Sequence, residues 1–85
     1  MPEPIRMKNP IYPFELRKTG VTGTVVVEFI VDASGRVTEA RAISSPHPDL
    51  SKAAVAAILQ AEYKPGIRKG KPVATRMQVP LTFDL

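Results

Sequence analysis

The 85-residue sequence predicts a small α+β domain: a three-stranded antiparallel/mixed sheet in the order second, first, third, with a short N-terminal helix and one longer helix packed on one face. Three observations predict it. Residues 73–85 alternate, with Val73, Met77, Val79, Leu81, Phe83 and Leu85 on one parity and Arg76, Gln78, Pro80, Thr82 and Asp84 on the other, the signature of a strand with one wet face. Residues 24–31 are a β-branched run followed by Asp32-Ala33-Ser34-Gly35, which is hairpin punctuation. Residues 49–61 place Leu50, Ala53, Ala54, Ala57, Ile58 and Ala61 on one stripe at helical spacing.

Taken in chain order, residues 1–9 carry two prolines, three charges and little periodicity, so they read as a flexible lead-in or linker remnant, with the domain proper at 10–85. Residues 12–20 have Pro13 at a first helical position, Glu15 in the first turn, Arg17 and Lys18 in the last and Gly20 beyond, which predicts one or two helical turns. The strand at 24–31 turns Val25, Val27, Phe29 and Val31 inward. Gly35 closes a type I turn into a returning strand at 36–44, whose inward residues Val37, Ala40 and Ala42 slip in spacing and predict a bulge near Thr38 and Glu39. The long helix takes Asp49 or a nearby residue as N-cap, and Pro65-Gly66 ends any continuation, leaving 63–72 as a connection.

Length fixes the topology. A helix of about 13 residues runs ~20 Å, which returns the chain to the end of the sheet where the second strand began. The third strand then runs parallel to the second and pairs antiparallel with the first, through a right-handed crossover. Both outer strands are edges. Pro80 has no N–H for a ladder, so it marks the free side of its strand, where an incoming peptide strand could pair.

A chain this short is one domain, and its folding hides a little over ~60% of the unfolded surface. With 44% hydrophobic and 24% charged residues it is globular in composition, and with no cysteine it has neither disulfides nor thiolate metal sites. Its apolar stretches fall short of the ~20 residues that span a bilayer, and the first residues lack a signal-peptide core, so the sequence reads as a soluble piece of something longer. The net charge of +4 favours acidic partners. Lys64, Arg68, Lys69 and Lys71 cluster around a Pro-Gly turn and read either as a solvated basic loop or as a polyanion site; with no aromatic residues interleaved to stack bases, the solvated loop is the expectation and nucleic acid is not the expected partner.

Catalysis finds no constellation. His47 is a lone histidine between two prolines, without a nucleophile, metal ligand or orienting partner in recognisable spacing, and reads as a loop residue. Ser44 and Ser45 lie outside any Gly-x-Ser-x-Gly elbow, and Gly20 and Gly23 precede a strand rather than a helix, so neither acyl transfer nor a phosphate cradle is indicated. No catalytic residue, metal or cofactor is expected. Val55 and Leu59 on the helix, with Val26 and Ile30 on the outer sheet face, read either as scattered exposed apolar residues or as a self-association surface.

The order and spacing of several short motifs are more specific. Tyr12-Pro13, Gly20, Gly23, the strand Val25-Val26-Val27-Glu28-Phe29-Ile30-Val31-Asp32, Gly35-Arg36-Val37, Ser44-Ser45, Leu50 with Ala53-Ala54, Tyr63-Lys64-Pro65, Gly70-Lys71-Pro72-Val73 and Val79-Pro80-Leu81-Thr82-Phe83 succeed one another over 10–85. This succession resembles the C-terminal domain of TonB-type energy transducers. The resemblance implies a non-enzymatic periplasmic domain, tethered to the inner membrane in the full-length protein. It implies docking of a short peptide, the TonB box, of an outer-membrane TonB-dependent receptor by β-strand addition. The domain would thereby couple the proton-motive force of an inner-membrane ExbB/ExbD-type motor to outer-membrane transport such as siderophore and iron uptake.

By the same resemblance the peptide contacts fall on Arg76, Met77, Gln78, Val79, Pro80 and Thr82 of the last strand and on Asn9, Pro10, Ile11 and Tyr12. Asn9 stands where the best-known members have glutamine, and Ala61 where tryptophan is frequent. Tyr12 reads either as a contact or as an anchor for the short helix. A homodimer by edge pairing is open as well. Two rival readings also stay open: a polyanion module for nucleic acid or cell-wall polymer, and a structural or sensory appendage of a larger envelope protein.

Overall fold

The computed structural model describes residues 3–7 and 9–85. Its elements are β1 (Glu3–Arg6), α1 (Phe14–Lys18), β2 (Gly23–Val31), β3 (Val37–Ser44), α2 (Pro48–Leu59), β4 (Glu62–Lys64), β5 (Gly66–Arg68), β6 (Lys71–Val73) and β7 (Thr75–Phe83). The main sheet has the order β3-β2-β7, with β2 antiparallel to both neighbours, as the length of the helical crossover predicts. Both α2 and the β-branched run of β2 exist to bury one face against each other.

On β2, Val25, Val27, Phe29 and Val31 are fully buried, and so are Leu50, Ala54 and Ile58 of α2. Burying each of the large side chains contributes about 1.5–3 kcal/mol, which makes this contact the main source of stability. Ala40 and Ala42 of β3 and Ala53 and Ala54 of α2 keep the layers close, because alanine leaves the backbone surfaces near each other. Phe29 and Tyr63 close one end of the core with ring centroids 5.5 Å apart. Leu16 of α1 and Phe83 of β7 fill the other side of the same cluster.

The hairpin between β2 and β3 is held by its own polar groups. Asp32 Oδ1 accepts from Ser34 N at 2.9 Å, Ser34 Oγ at 2.6 Å and Arg36 N at 3.0 Å. These bonds hold the Asp32 carboxyl below its usual range, the Ser34 hydroxyl contributing most. Gly35 has φ +89°, and its carbonyl accepts from Tyr63 N at 3.0 Å, which ties the turn to the chain after α2. The bulge falls where the spacing of Val37 and Ala40 predicts it: Glu39 has φ +52° and the register steps between Glu28↔Arg41 and Ile30↔Thr38.

Several elements differ from the sequence reading. Regular structure does not wait for Pro10, because Glu3–Arg6 pair with Glu62–Lys64. That pairing is carried by backbone hydrogen bonds, and every residue of Glu3–Arg6 is exposed, which leaves no periodicity to read. The connection at 63–72 resolves into β4 and a β5–β6 hairpin, turned by Lys69 and Gly70 at φ +51° and +76°. Val73 therefore belongs to β6, and the last strand begins at Thr75. His47 is the N-cap of α2 rather than a bystander in a loop, its Nδ1 accepting from Asp49 N at 3.0 Å. The helix ends at Leu59, and Ala61, on the predicted stripe, is buried just beyond it.

Candidate functional site

Strand β7 pairs with β2 without a register break, from Gly23↔Phe83 to Val31↔Thr75, and among the described residues it has no neighbour on its other side. Its Met77, Val79 and Leu81 are half-buried against the core, whereas Arg76, Gln78, Pro80 and Thr82 are exposed on the opposite face. Pro80 lies opposite Val26 and has no N–H to give it, so the residue's backbone nitrogen belongs on the open side. Alternate residues share that direction, which turns the backbone N–H and C=O of Arg76, Gln78 and Thr82 outward as well. Close cross-strand side-chain contacts at the same parity agree with this, since non-hydrogen-bonded pairs approach more closely: Thr24 Oγ1 lies 3.1 Å from Thr82 Oγ1. Unpaired backbone groups in a row are what an incoming strand satisfies.

A polar ladder crosses the solvent face behind this edge. Glu28 Oε2 accepts from Gln78 Nε2 at 3.1 Å, and its Oε1 accepts from Arg41 Nη2, also at 3.1 Å. Glu28 thus links β3, β2 and β7, and these bonds, that from Gln78 first, hold its carboxyl below the usual range. Arg76 stands two pairs further along, opposite Ile30, and lines a hollow of about 250 Å³ with Glu28, Glu39 and Arg41. Sequence reasoning did not single out Glu28. The alternation on β2 puts it on the wet face, but the bulge at Glu39 hides which β3 residue lies opposite.

The N-terminal candidates lie elsewhere around the same core. Asn9 and Ile11, with Pro13, face α2 across a groove of about 500 Å³ whose helix wall includes Lys52, Ala53, Ala56 and Gln60. Pro10 is half-buried, and Ile11 is 83% exposed. Tyr12 has a structural engagement: its hydroxyl donates to the Val21 carbonyl, and its ring meets Phe83 edge-on at 5.4 Å. The structure therefore gathers Arg76, Met77, Gln78, Val79, Pro80 and Thr82 on one edge and joins Tyr12 to the end of that strand. Asn9 and Ile11 border the helix groove instead.

The apolar residues noted on the two outer surfaces do not form one patch. Val55 packs against the core and Leu59 is 51% exposed beside a groove between α2 and β3, whereas Val26 and Ile30 are half-buried on the far side of the sheet. Among the described residues no group of three His, Cys, Asp or Glu side chains gathers to hold a metal ion. No helix among them is long and apolar enough to cross a membrane.

Comparison with known proteins agrees with this architecture. A family model described as Gram-negative bacterial TonB protein C-terminal matches residues 8–85. The chain is 39% identical over 78 residues to Protein TonB of Vibrio cholerae serotype O1, covering 91% of this chain and 32% of that protein. It is 35% identical over 80 residues to Protein TonB of Xanthomonas campestris pv. campestris (strain B100), covering 93% of this chain and 36% of that one. The solution NMR structure of Pseudomonas aeruginosa TonB CTD superimposes with a TM-score of 0.83 at 26% identity, over 99% of this chain and 86% of the other. The chain spans about a third of the length of the TonB proteins it matches. With a family model matched over nearly its whole length and a fold shared with a TonB CTD, the chain belongs to the TonB C-terminal family.

Proposed function

We propose that this chain is the periplasmic, peptide-binding domain of a TonB-like energy transducer, and that it docks a segment of an outer-membrane receptor by β-strand addition along β7. The observation that carries the reading is an edge strand, unpartnered on one side among the described residues, whose backbone groups at Arg76, Gln78 and Thr82 face outward beside Pro80. The receptor segment adds as a further strand, and its affinity comes from main-chain hydrogen bonds. Pro80 withholds one donor, so pairing is strongest on the Arg76 and Gln78 side. Met77 and Val79 offer apolar contact on the core side of the added strand, and Asn9, Pro10, Ile11 and Tyr12 extend the contact surface at the N-terminal segment.

The domain needs no cofactor and performs no bond chemistry. Affinity is modest, because a flexible peptide must be ordered as it docks. In the longer protein, an inner-membrane anchor and an ExbB/ExbD-type motor upstream of this domain supply the force that the docked strand transmits, in service of siderophore or iron uptake. Titrating receptor N-terminal peptides into the labelled chain tests this by NMR. The reading expects the largest amide shifts at 76, 78 and 82, and shifts confined to α2 would overturn it. Pairing of β7 with a second copy is the homodimeric use of the same edge, and it would be seen as concentration-dependent shifts without peptide.

A further inference from the structure

We propose that the β5–β6 hairpin is a membrane-contact element that rests the domain on an anionic bilayer surface through Arg68, Lys69, Lys71 and the Ile67–Pro72 pair. The hairpin is a two-stranded sheet of its own, with the pairs Gly66↔Val73, Ile67↔Pro72 and Arg68↔Lys71. Its two faces differ. Arg68 and Lys71 oppose each other on one face, and Ile67 and Pro72 oppose each other on the other.

Each feature of the tip runs against what an isolated hairpin prefers. Like charges directly opposite on two strands repel. The turn residue Lys69 has φ +51°, a conformation for which turns ordinarily use Gly, Asn or Asp. Ile67 is 61% exposed. Among the described residues the ion pairs are Arg6–Glu62 and Arg41–Glu28, so no carboxylate neutralises Arg68, Lys69 or Lys71 from within the fold. Lys64, their neighbour in sequence, differs in lying opposite Glu3 across β1 and β4.

A bilayer with anionic headgroups satisfies both faces at once. The three cations meet phosphate, and the Ile67 side chain enters the boundary between headgroups and acyl chains. Single-stranded nucleic acid fits less well, because it needs an exposed ring for stacking and the nearest aromatic residue in sequence, Tyr63, is 3% exposed.

The test is sedimentation of the 85-residue chain with vesicles of phosphatidylcholine alone or mixed with phosphatidylglycerol, at several salt concentrations. Each cation near an anionic surface strengthens binding about fivefold, so the triple variant Arg68→Gln, Lys69→Gln, Lys71→Gln should bind the mixed vesicles roughly a hundredfold more weakly. A charge-matched triple on α1 and α2, Arg17→Gln, Lys18→Gln, Lys52→Gln, should lose far less. Ile67→Ser should weaken binding severalfold without changing its salt dependence. The proposal is overturned if the mixed vesicles bind no better than phosphatidylcholine alone, or if both triples fall equally, which would reduce the effect to net charge. It is overturned too if Ile67→Ser leaves vesicle binding intact while a single-stranded oligonucleotide binds and depends on the three cations.

Discussion

Replacing Gly35 with alanine tests how the β2–β3 turn is locked to the rest of the fold. At φ +89° an L side chain is strained, by about 1 kcal/mol. The added Cβ would also lie 2.2 Å from the Tyr63 carbonyl oxygen, a backbone atom that no rotamer change moves aside. β4 must therefore retreat. Retreat loses the Tyr63 N to Gly35 O hydrogen bond, worth about 1 kcal/mol, and part of the Phe29–Tyr63 ring contact, worth about 1 kcal/mol. The expected loss is about 3 kcal/mol. Gly20→Ala is the internal control, because its φ is +75° but nothing lies within 4 Å of the added Cβ, leaving only the strain of about 1 kcal/mol. In a domain of this size each kcal/mol moves Tm by roughly 4–8 °C, so Gly35→Ala should lower it by roughly 12–24 °C and Gly20→Ala by roughly 4–8 °C. Thermal unfolding followed by circular dichroism reads both. Equal shifts in the two variants would refute the reasoning, since the Tyr63 carbonyl would then not be held against the turn.

Substitutions at three further positions probe other parts of the account. His47→Ala should cost about 1 kcal/mol in urea unfolding through loss of the α2 cap, while His47→Asn, a good cap, should lose much less; equal losses would contradict the capping role. Glu28 and Asp32 keep their carboxylates below the usual 4.5 and 3.8, so the stability they contribute is present above those values and is lost as pH falls through the lowered ones. The urea midpoint should therefore fall between about pH 5 and pH 2, and Glu28→Gln should flatten that fall; an unchanged slope would show that the ladder to Arg41 and Gln78 does not form in solution. Tyr12→Phe should lose about 1 kcal/mol by stranding the Val21 carbonyl, with peptide affinity unchanged. A loss of affinity at unchanged stability would instead make the hydroxyl a peptide contact.

The parts of the fold that the sequence made legible are those with a period. Val25, Val27, Phe29 and Val31 alternate because one face is buried, and Leu50, Ala54 and Ile58 recur at helical spacing because one stripe is. From those two elements and the length between them the strand order follows. Positions without a burial pattern stayed hidden. Glu3–Arg6 and Lys71–Val73 are strands through backbone pairing, and their side chains, all exposed but the half-buried Val73, carry no trace of it. His47 was obscured for a different reason, since imidazole is an uncommon cap and Asp49 beside it is a common one.

The candidate edge was legible through a single residue. Pro80 names the open side of β7 because its missing N–H has only one tolerable direction. The Glu28 ladder behind that edge was not legible, since the bulge at Glu39 resets which β3 residue meets β2.

The central claim concerns the direction of backbone groups on β7, and a pair of proline substitutions on adjacent residues tests it most directly. Gln78→Pro removes an outward N–H, so it should leave the chain folded yet weaken receptor-peptide binding well beyond the loss seen for Gln78→Ala. Val79→Pro removes an N–H that belongs to the β2 ladder, so it should unfold the domain. If Gln78→Pro binds peptide as well as Gln78→Ala does, strand addition at this edge is wrong.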